Sequence, residues 1–180
     1  MKRRNFLIST GLMAVATVST ASYWKHRWKY IVVHHSGGEY GTIPFLQKVH
    51  AERQPNDPID AIPYHYVIGN GNGIPMGEIK NDFRKKYNLW GSHLSANNSY
   101  RNFLSLGICL IGNFENKKVP SKQYEALLSL VRKLIRDYTI HVENVSGHGL
   151  IRGESTLCPG RHFPMQQLLK DIATSPSAHS

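Results

Sequence analysis

The chain has 180 residues, of which 41% are hydrophobic and 19% are charged, which is enough for one domain with its own core. Its two cysteines are too few for a disulfide framework. The 22 Lys and Arg against 12 Asp and Glu give a formal net charge of +10, which favours nucleic acid, anionic lipid or an acidic cell-wall polymer as partner. No segment interleaves basic and aromatic residues as a nucleic-acid module does, so we expect no nucleic-acid partner.

The amino terminus has the pattern of an export signal. Arg3 and Arg4 precede an apolar run over 7–18, which is too short for a comfortable membrane span. The arginine pair resembles a twin-arginine signal, and the small residue Ala21 suits signal peptidase. We therefore expect residues 1–21 to be a signal cleaved near Ala21, with an uncleaved anchor as the alternative. We expect the exported protein to reside in the periplasm. Cleavage removes three basic residues and no acid, so the mature protein would have a net charge of 10 − 3 = +7.

The first predicted strand ends on two histidines. Residues 31–33 are β-branched and continuous, which predicts a strand buried on both faces. Successive side chains of a strand point to opposite faces, so His34 and His35 cannot both face one metal ion. One of them is the candidate ligand, and the other packs or hydrogen-bonds. The aromatic and basic lead-in 23–29 is expected to pack on the domain, with membrane contact as the alternative.

The next segment predicts a helix, a strand and a hairpin. Thr42 suits the cap of a helix, and 62–68 is a predicted strand. The glycines and asparagines of 69–73 are typical of a hairpin turn. Residues 74–78 are then the short return strand, which Pro75 places at the edge of the sheet.

The second half of the chain alternates between loop, strand and helix. Residues 81–100 are irregular and polar, and a long loop in a compact domain is more often functional than idle. Residues 104–112 form a second buried strand, in which Cys109 is expected to be a core residue. Apolar residues at helical spacing predict helices from 121 onwards and over 165–173.

A glycine-bounded loop carries the strongest chemical signal. The stretch 147–160 offers the imidazole of His148 and the thiol of Cys158. Zinc in hydrolases takes three protein ligands and leaves a fourth position open, so a third ligand is needed. The best candidate is the histidine pair that ends the first strand. The alternatives are a capped turn beside a buried thiol, and a cysteine hydrolase in which Cys158 uses His148 as its base.

Five pieces of sequence, in this order and spacing, resemble one protein family. The family comprises the zinc N-acetylmuramoyl-L-alanine amidases of the type shared by phage amidases, bacterial muropeptide amidases and peptidoglycan recognition proteins. The resemblance covers the chain from Lys29 to about Leu169. The pieces are 30–36, 63–69, 91–93, 105–114 and 147–160. The resemblance implies an α/β fold: a single domain over 22–173, with a mixed central β-sheet flanked by α-helices and zinc in a surface groove, followed by a disordered tail over 174–180.

The resemblance also implies a ligand set and catalytic residues. His34, His148 and Cys158 would hold Zn2+, and two neutral imidazoles with one thiolate leave the ion a net charge of +1. Tyr64 falls where the family keeps a tyrosine beside the reacting water, and a nearby cation is expected to lower its pKa. Thr156 falls where relatives have Lys or Thr facing the scissile carbonyl. The candidate substrate-binding residues are His93, His35 and Asn113.

Two departures from the family pattern accompany these matches. The ten-residue step from His148 to Cys158 matches the muropeptide amidases, which generally have Asp as the last ligand. Residues 78–80 replace the Gly-Arg-Gly-Trp that usually follows the hairpin.

The function implied is that of an exported zinc amidase. It would be a monomer that cleaves the bond between N-acetylmuramic acid and L-alanine in peptidoglycan or muropeptides. Its positive charge would hold it on an anionic wall or membrane surface. The main alternative is a non-catalytic peptidoglycan-binding protein of the same fold.

Overall fold

The computed structural model describes residues 27–53 and 61–174. The predicted signal 1–21 and nearly all of the predicted tail lie outside these ranges. The strands are β1 (Tyr30–His35), β2 (Tyr66–Ile68), β3 (Ile79–Asn81), β4 (Ser105–Leu110) and β5 (Val145–Gly147). The α-helices are α1 (Ile43–Arg53), α2 (Phe83–Lys86), α3 (Ser99–Leu104), α4 (Ser121–Tyr138) and α5 (Met165–Ala173). Short 3-10 turns cover Ala96–Asn98, Val142–Asn144 and His148–Leu150.

The sheet is mixed, as predicted, and has the strand order β3-β2-β4-β1-β5. β1 pairs in parallel with β4 and β5, β2 pairs in parallel with β4, and β3 runs antiparallel to β2. The four parallel strands therefore end at the same edge of the sheet. Residues that follow those ends, including His148 after β5, meet there.

Helices cover both faces of the sheet. Ile31 and Val33 of β1 point into the larger core, which α4 and α5 close with Leu127, Leu134 and Leu168. The opposite face packs on α1 in a smaller cluster made of Leu46, Ile62, Tyr64, Val67, Ile74, Cys109 and Ile111. Both helix predictions are confirmed because α4 and α5 bury their apolar stripes. No helix within 27–53 or 61–174 has the length and apolarity needed to cross a membrane.

The hairpin prediction is wrong in its details. The strand predicted over 62–68 is regular only from Tyr66 to Ile68, because Pro63 lacks the N–H that a ladder needs. The return strand predicted over 74–78 is a loop, closed by hydrogen bonds from Gly69 N to Glu78 O (3.0 Å) and from Gly77 N to Gly69 O (2.9 Å). Gly77 has φ +76°, which leaves the strand region, so β3 begins only at Ile79.

The segment predicted to be an irregular loop over 81–100 contains short helical pieces. They are α2, the 3-10 turn Ala96–Asn98 and the beginning of α3. These pieces are too short for a 3.6-residue apolar period to stand out in the sequence.

Candidate metal centre

Register in the sheet brings the two predicted histidine ligands together. Val33 of β1 lies opposite Gly147 of β5, so His34 and His148 follow at neighbouring positions. Their ring centroids are 4.7 Å apart. His34 is buried, with 1% of its surface exposed, and its side chain lies on the face of β1 opposite to Val33.

The glycine-bounded loop returns Cys158 to the same point. Gly149 N donates to Cys158 O at 2.6 Å, and His35 N donates to Cys158 Sγ at 3.4 Å. A Cβ on Gly149 would lie 2.2 Å from Thr156 O, so only glycine permits this closure. The ligand atoms of His34, His148 and Cys158 consequently all lie within 4.8 Å of one another.

A chain of hydrogen bonds sets the tautomer of His34. Ser105 Oγ donates to Arg101 O at 2.7 Å, so it accepts from His93 Nε2 at 3.1 Å. His93 Nδ1 is then an acceptor, and it receives the proton of His34 Nε2 at 3.0 Å. His34 Nδ1 keeps its lone pair and lies 3.8 Å from Cys158 Sγ. This is the arrangement that orients a metal-ligating histidine.

A buried carboxylate orients the imidazole ring of His148. His148 Nε2 lies 2.9 Å from Glu154 Oε2, and the Glu154 side chain is only 3% exposed. The carboxylate also accepts from Ser95 N (3.1 Å), Ser95 Oγ (2.9 Å) and Asn98 Nδ2 (2.7 Å). Burial alone would raise the pKa of Glu154, but the hydrogen bonds from His148, Asn98 and Ser95 outweigh it and lower the pKa. Glu154 is therefore an anion that fixes His148 and leaves its Nδ1 for a metal.

The protonation states suit a cation. Burial, followed by the neighbouring His93 and His148, lowers the pKa of His34 well below 6.5, so the ring is neutral. Burial raises the pKa of Cys158 to about 12, against a hydrogen bond from His35 N that lowers it. A thiol buried in this way becomes a thiolate when a cation binds beside it. Two imidazoles and one such thiolate are a donor set typical of zinc.

Both cysteines are free, so Cys158 is not tied to Cys109. Cys109 is fully buried in the smaller core cluster beside Tyr64, as the sequence predicts.

The candidate site lies in a groove of about 570 Å³. The groove lining includes Tyr64, Thr156 and the three candidate ligands. The ring centroid of Tyr64 lies 5.0 Å from that of His34. Burial, followed by Cys109 and Cys158, raises the pKa of Tyr64 well above 10, and the Tyr64 side chain hydrogen-bonds with that of Cys109. The phenol therefore keeps its proton at neutral pH and acts as a donor.

Thr156 stands at the rim of the groove. Its residue is exposed, and its Oγ1 accepts from Cys158 N at 3.2 Å. Because the oxygen accepts this bond, the hydroxyl proton remains available to a group in the groove.

The three predicted substrate-binding residues differ in their position relative to the groove. His35 lines the groove, and its Nδ1 accepts from Phe114 N at 3.2 Å. His93 borders the groove but is 5% exposed, and both of its nitrogens are engaged inside the protein. Asn113 is not brought to the groove lining, and its Oδ1 accepts from Glu115 N at 3.1 Å.

Sequence reasoning missed three residues of this site. Glu154 is the single acid in 147–160 and lies between the two predicted ligands. That position could have indicated a carboxylate that orients a metal-ligating histidine. Ser105 supports His93 across the fold and has no local signal. His50 of α1 lines the groove with its ring 5.5 Å from that of Tyr64, and burial, followed by Arg53, lowers its pKa to about 4.

Comparisons with known proteins identify the family of the chain. The sequence model of the family described as N-acetylmuramoyl-L-alanine amidase matches residues 24–161. The chain is 27% identical over 161 residues to peptidoglycan-recognition protein SC2 of Drosophila melanogaster, which covers 85% of this chain and 77% of that protein.

Solved structures share the fold. The bumblebee protein PGRP-SA superposes with a TM-score of 0.60 at 22% identity, covering 79% of this chain and 80% of its own. Peptidoglycan recognition protein LE, solved in complex with tracheal cytotoxin, a monomeric diaminopimelic acid-type peptidoglycan, superposes with a TM-score of 0.58 at 23% identity, covering 83% and 81%. The family match spans most of the chain, so this protein belongs to the N-acetylmuramoyl-L-alanine amidase family.

Proposed function

We propose that this protein is a zinc-dependent hydrolase that cleaves the amide bond between N-acetylmuramic acid and L-alanine in peptidoglycan or muropeptides. One observation carries the proposal: the ligand atoms of His34, His148 and Cys158 converge in a groove. The Nε2 atom of each imidazole is hydrogen-bonded to the protein, to His93 in one case and to Glu154 in the other. Family membership and the likeness to peptidoglycan recognition proteins support the substrate class.

The chain's own residues have distinct roles in this proposal. His34 Nδ1, His148 Nδ1 and Cys158 Sγ would hold Zn2+. When bound, the ion supplies a Lewis acid that polarises the amide carbonyl and lowers the pKa of water. Tyr64 lines the groove, and its protonated phenol would orient the attacking water. Thr156 Oγ1 donates to the oxygen that becomes negative, a contact worth about 3 kcal/mol in other hydrolases.

Peptide release from purified peptidoglycan tests the proposal. We expect the zinc-loaded protein to release stem peptides with a free L-alanine amino terminus, as identified by mass spectrometry. Removal of the metal with a chelator should stop release, and added zinc should restore it. Activity that persists after metal removal would indicate the cysteine hydrolase instead.

The alternative is a protein that binds peptidoglycan without cutting it. The family includes recognition proteins, and the structural likeness itself is to such proteins. The groove favours the enzyme because Cys158, Tyr64 and Thr156 are all present in it. Sedimentation of the zinc-loaded protein with wall, in the absence of any peptide release, would establish the binding protein.

The proposal also includes export as a monomer. The arginine pair and apolar run of 1–21 support twin-arginine export to the periplasm, with the folded protein loading its metal before transport. We expect replacement of Arg3 and Arg4 by Lys to retain the protein in the cytoplasmic fraction. Delivery to the periplasm by the general secretion route would contradict this part of the proposal.

A further inference from the structure

One surface of the domain combines exposed rings with positive charge. Nine large apolar side chains of the described residues are exposed, and five of them fall within the segment 83–103. The same segment holds four Lys and Arg and no acid. We call this surface the aromatic-basic face, and its members are Phe83, Arg84, Lys85, Lys86, Tyr87, Trp90, Tyr100, Arg101 and Phe103.

Four rings of this face form two pairs. Phe83 and Tyr87 lie with centroids 4.8 Å apart, and Trp90 stacks on Phe103 at 5.3 Å with an interplanar angle of 7°. Arg84, which follows Phe83 in the chain, contacts the second pair: its guanidinium lies 5.8 Å from the Trp90 ring and its NH1 donates to Trp90 O at 2.7 Å.

The cations accompany the rings. Lys86 Nζ lies 5.3 Å from the ring of Tyr87, and Arg101 lies 4.4 Å from the ring of Tyr30. Tyr100 is 73% exposed on α3 beside Arg101. Lys86 is exposed, whereas Arg84, Lys85 and Arg101 are partly buried.

The chain enters the domain at this face. Lys29 N donates to Leu104 O at 2.7 Å, and the side chains of Arg27 and Trp28 both bond to Asn88, at 2.6 and 3.0 Å.

The candidate metal centre lies at the other end of the strands. β1 begins at Tyr30, against Arg101 of the face, and ends at His34 and His35 in the groove.

We propose that the aromatic-basic face docks on the surface of an anionic phospholipid membrane. Trp and Tyr rings favour the headgroup layer, where an apolar body and a polar tip are both satisfied. Lys and Arg beside them attract anionic lipid. A rigid polyanion would use the charges but would leave five exposed rings without an apolar environment.

Fluorescence of Trp90 in the full chain tests the contact. Trp24 is replaced by Phe, so that Trp90 and the fully buried Trp28 remain, and a Trp90→Phe variant supplies the background. We expect brominated lipid in phosphatidylglycerol-containing vesicles to quench Trp90, and brominated lipid in pure phosphatidylcholine vesicles to quench it far less. This readout is specific to the face even when the segment 7–18 itself associates with lipid.

Charge reversal tests the electrostatic part. In a full chain whose apolar run is interrupted by Leu12→Asn and Val15→Asn, the pair Lys85→Glu and Lys86→Glu should lower co-sedimentation with the anionic vesicles by roughly tenfold or more. The pair Lys118→Glu and Lys122→Glu is the matched control, because it makes the same charge change on exposed residues before and at the start of α4.

A third variant removes a ring without disturbing the fold. Tyr100→Ser changes a side chain that is 73% exposed, and we expect it to weaken vesicle binding by several-fold at unchanged thermal stability.

Three results would overturn the proposal. The first is the absence of Trp90 quenching in anionic vesicles. The second is equal loss of binding in both charge-reversal pairs, which would indicate net charge alone. The third is tight binding to oligo-dT, sensitive to Lys85 and Lys86, without vesicle binding, which would assign the face to nucleic acid.

Discussion

His148 Nε2 lies 2.9 Å from Glu154 Oε2, and that carboxylate is 3% exposed. Both residues belong to the loop 147–160, so the loop that carries a candidate ligand also carries the group that orients it. We therefore expect Glu154→Gln to lower zinc affinity by about 10- to 100-fold. Competition with a chromophoric chelator measures the affinity. The control is Glu115→Gln, which changes a carboxylate that pairs with Arg161 outside the groove. Equal affinities in wild type and Glu154→Gln would remove Glu154 from the site.

Closure of the loop depends on Gly149. In Gly149→Ala, the new Cβ would meet Thr156 O at 2.2 Å, so the loop has to shift and Cys158 moves with it. We expect a loss of about 1–3 kcal/mol in unfolding free energy together with weaker zinc binding. Gly38→Ala is the matched control, because nothing lies within 4 Å of its added Cβ. If both variants bound zinc like the wild type, the described closure would be wrong.

Thr156 and Tyr64 are expected to act on turnover and not on metal binding. Thr156→Val removes the donor, so kcat for peptide release should fall by roughly 100-fold while zinc content stays the same. Thr156→Ser keeps the hydroxyl and should retain most of the activity. Tyr64→Phe removes the phenol proton and should also lower kcat at unchanged zinc content. Full activity in Thr156→Val would show that the hydroxyl does not face the reacting carbonyl.

His65 makes the fold sensitive to acid. Its Nδ1 accepts from Gly107 N at 3.0 Å and its Nε2 donates to Leu89 O at 2.9 Å, so the buried ring is neutral. Burial lowers its pKa from 6.5 to about 3; the Leu89 bond opposes this shift, whereas the positive charges of Arg27, Arg84 and Lys85 add to it. Below pH 6.5 the unfolded chain binds a proton at His65 that the folded chain does not bind.

The stability that His65 contributes should fall by up to about 1.4 kcal/mol per pH unit between pH 6.5 and 3. Urea unfolding of wild type and His65→Gln at a series of pH values measures the difference in slope. The His65→Gln variant should be less stable at neutral pH but should lose less on acidification. Parallel slopes would contradict the neutral assignment.

The sequence predicted those parts of the site that depend on local pattern. The apolar run before His34 indicated a buried strand, and the glycines around His148 and Cys158 indicated a tight loop. The convergence of the three ligand atoms follows from the strand register, which no local pattern contains.

The groups behind the ligands could not be predicted in the same way. Ser105 and His93 reach His34 through packing between distant segments, and only the fold shows that their hydrogen bonds set its tautomer. The position of β3 was predicted wrongly because the turn residues of 69–73 made 74–78 the expected return strand, whereas Pro75 and Gly77 place that segment in a loop. The aromatic-basic face escaped notice because its members are scattered over 83–103 and form a surface only when folded.

The central claim is that one zinc ion is held by His34, His148 and Cys158. X-ray absorption at the zinc edge of the metal-loaded protein tests it most directly. The account predicts one zinc per chain with one sulfur at about 2.3 Å and two imidazole nitrogens at about 2.0 Å, and loss of the sulfur shell in Cys158→Ala. A zinc shell without sulfur in the wild type, or an unchanged shell in Cys158→Ala, would contradict it.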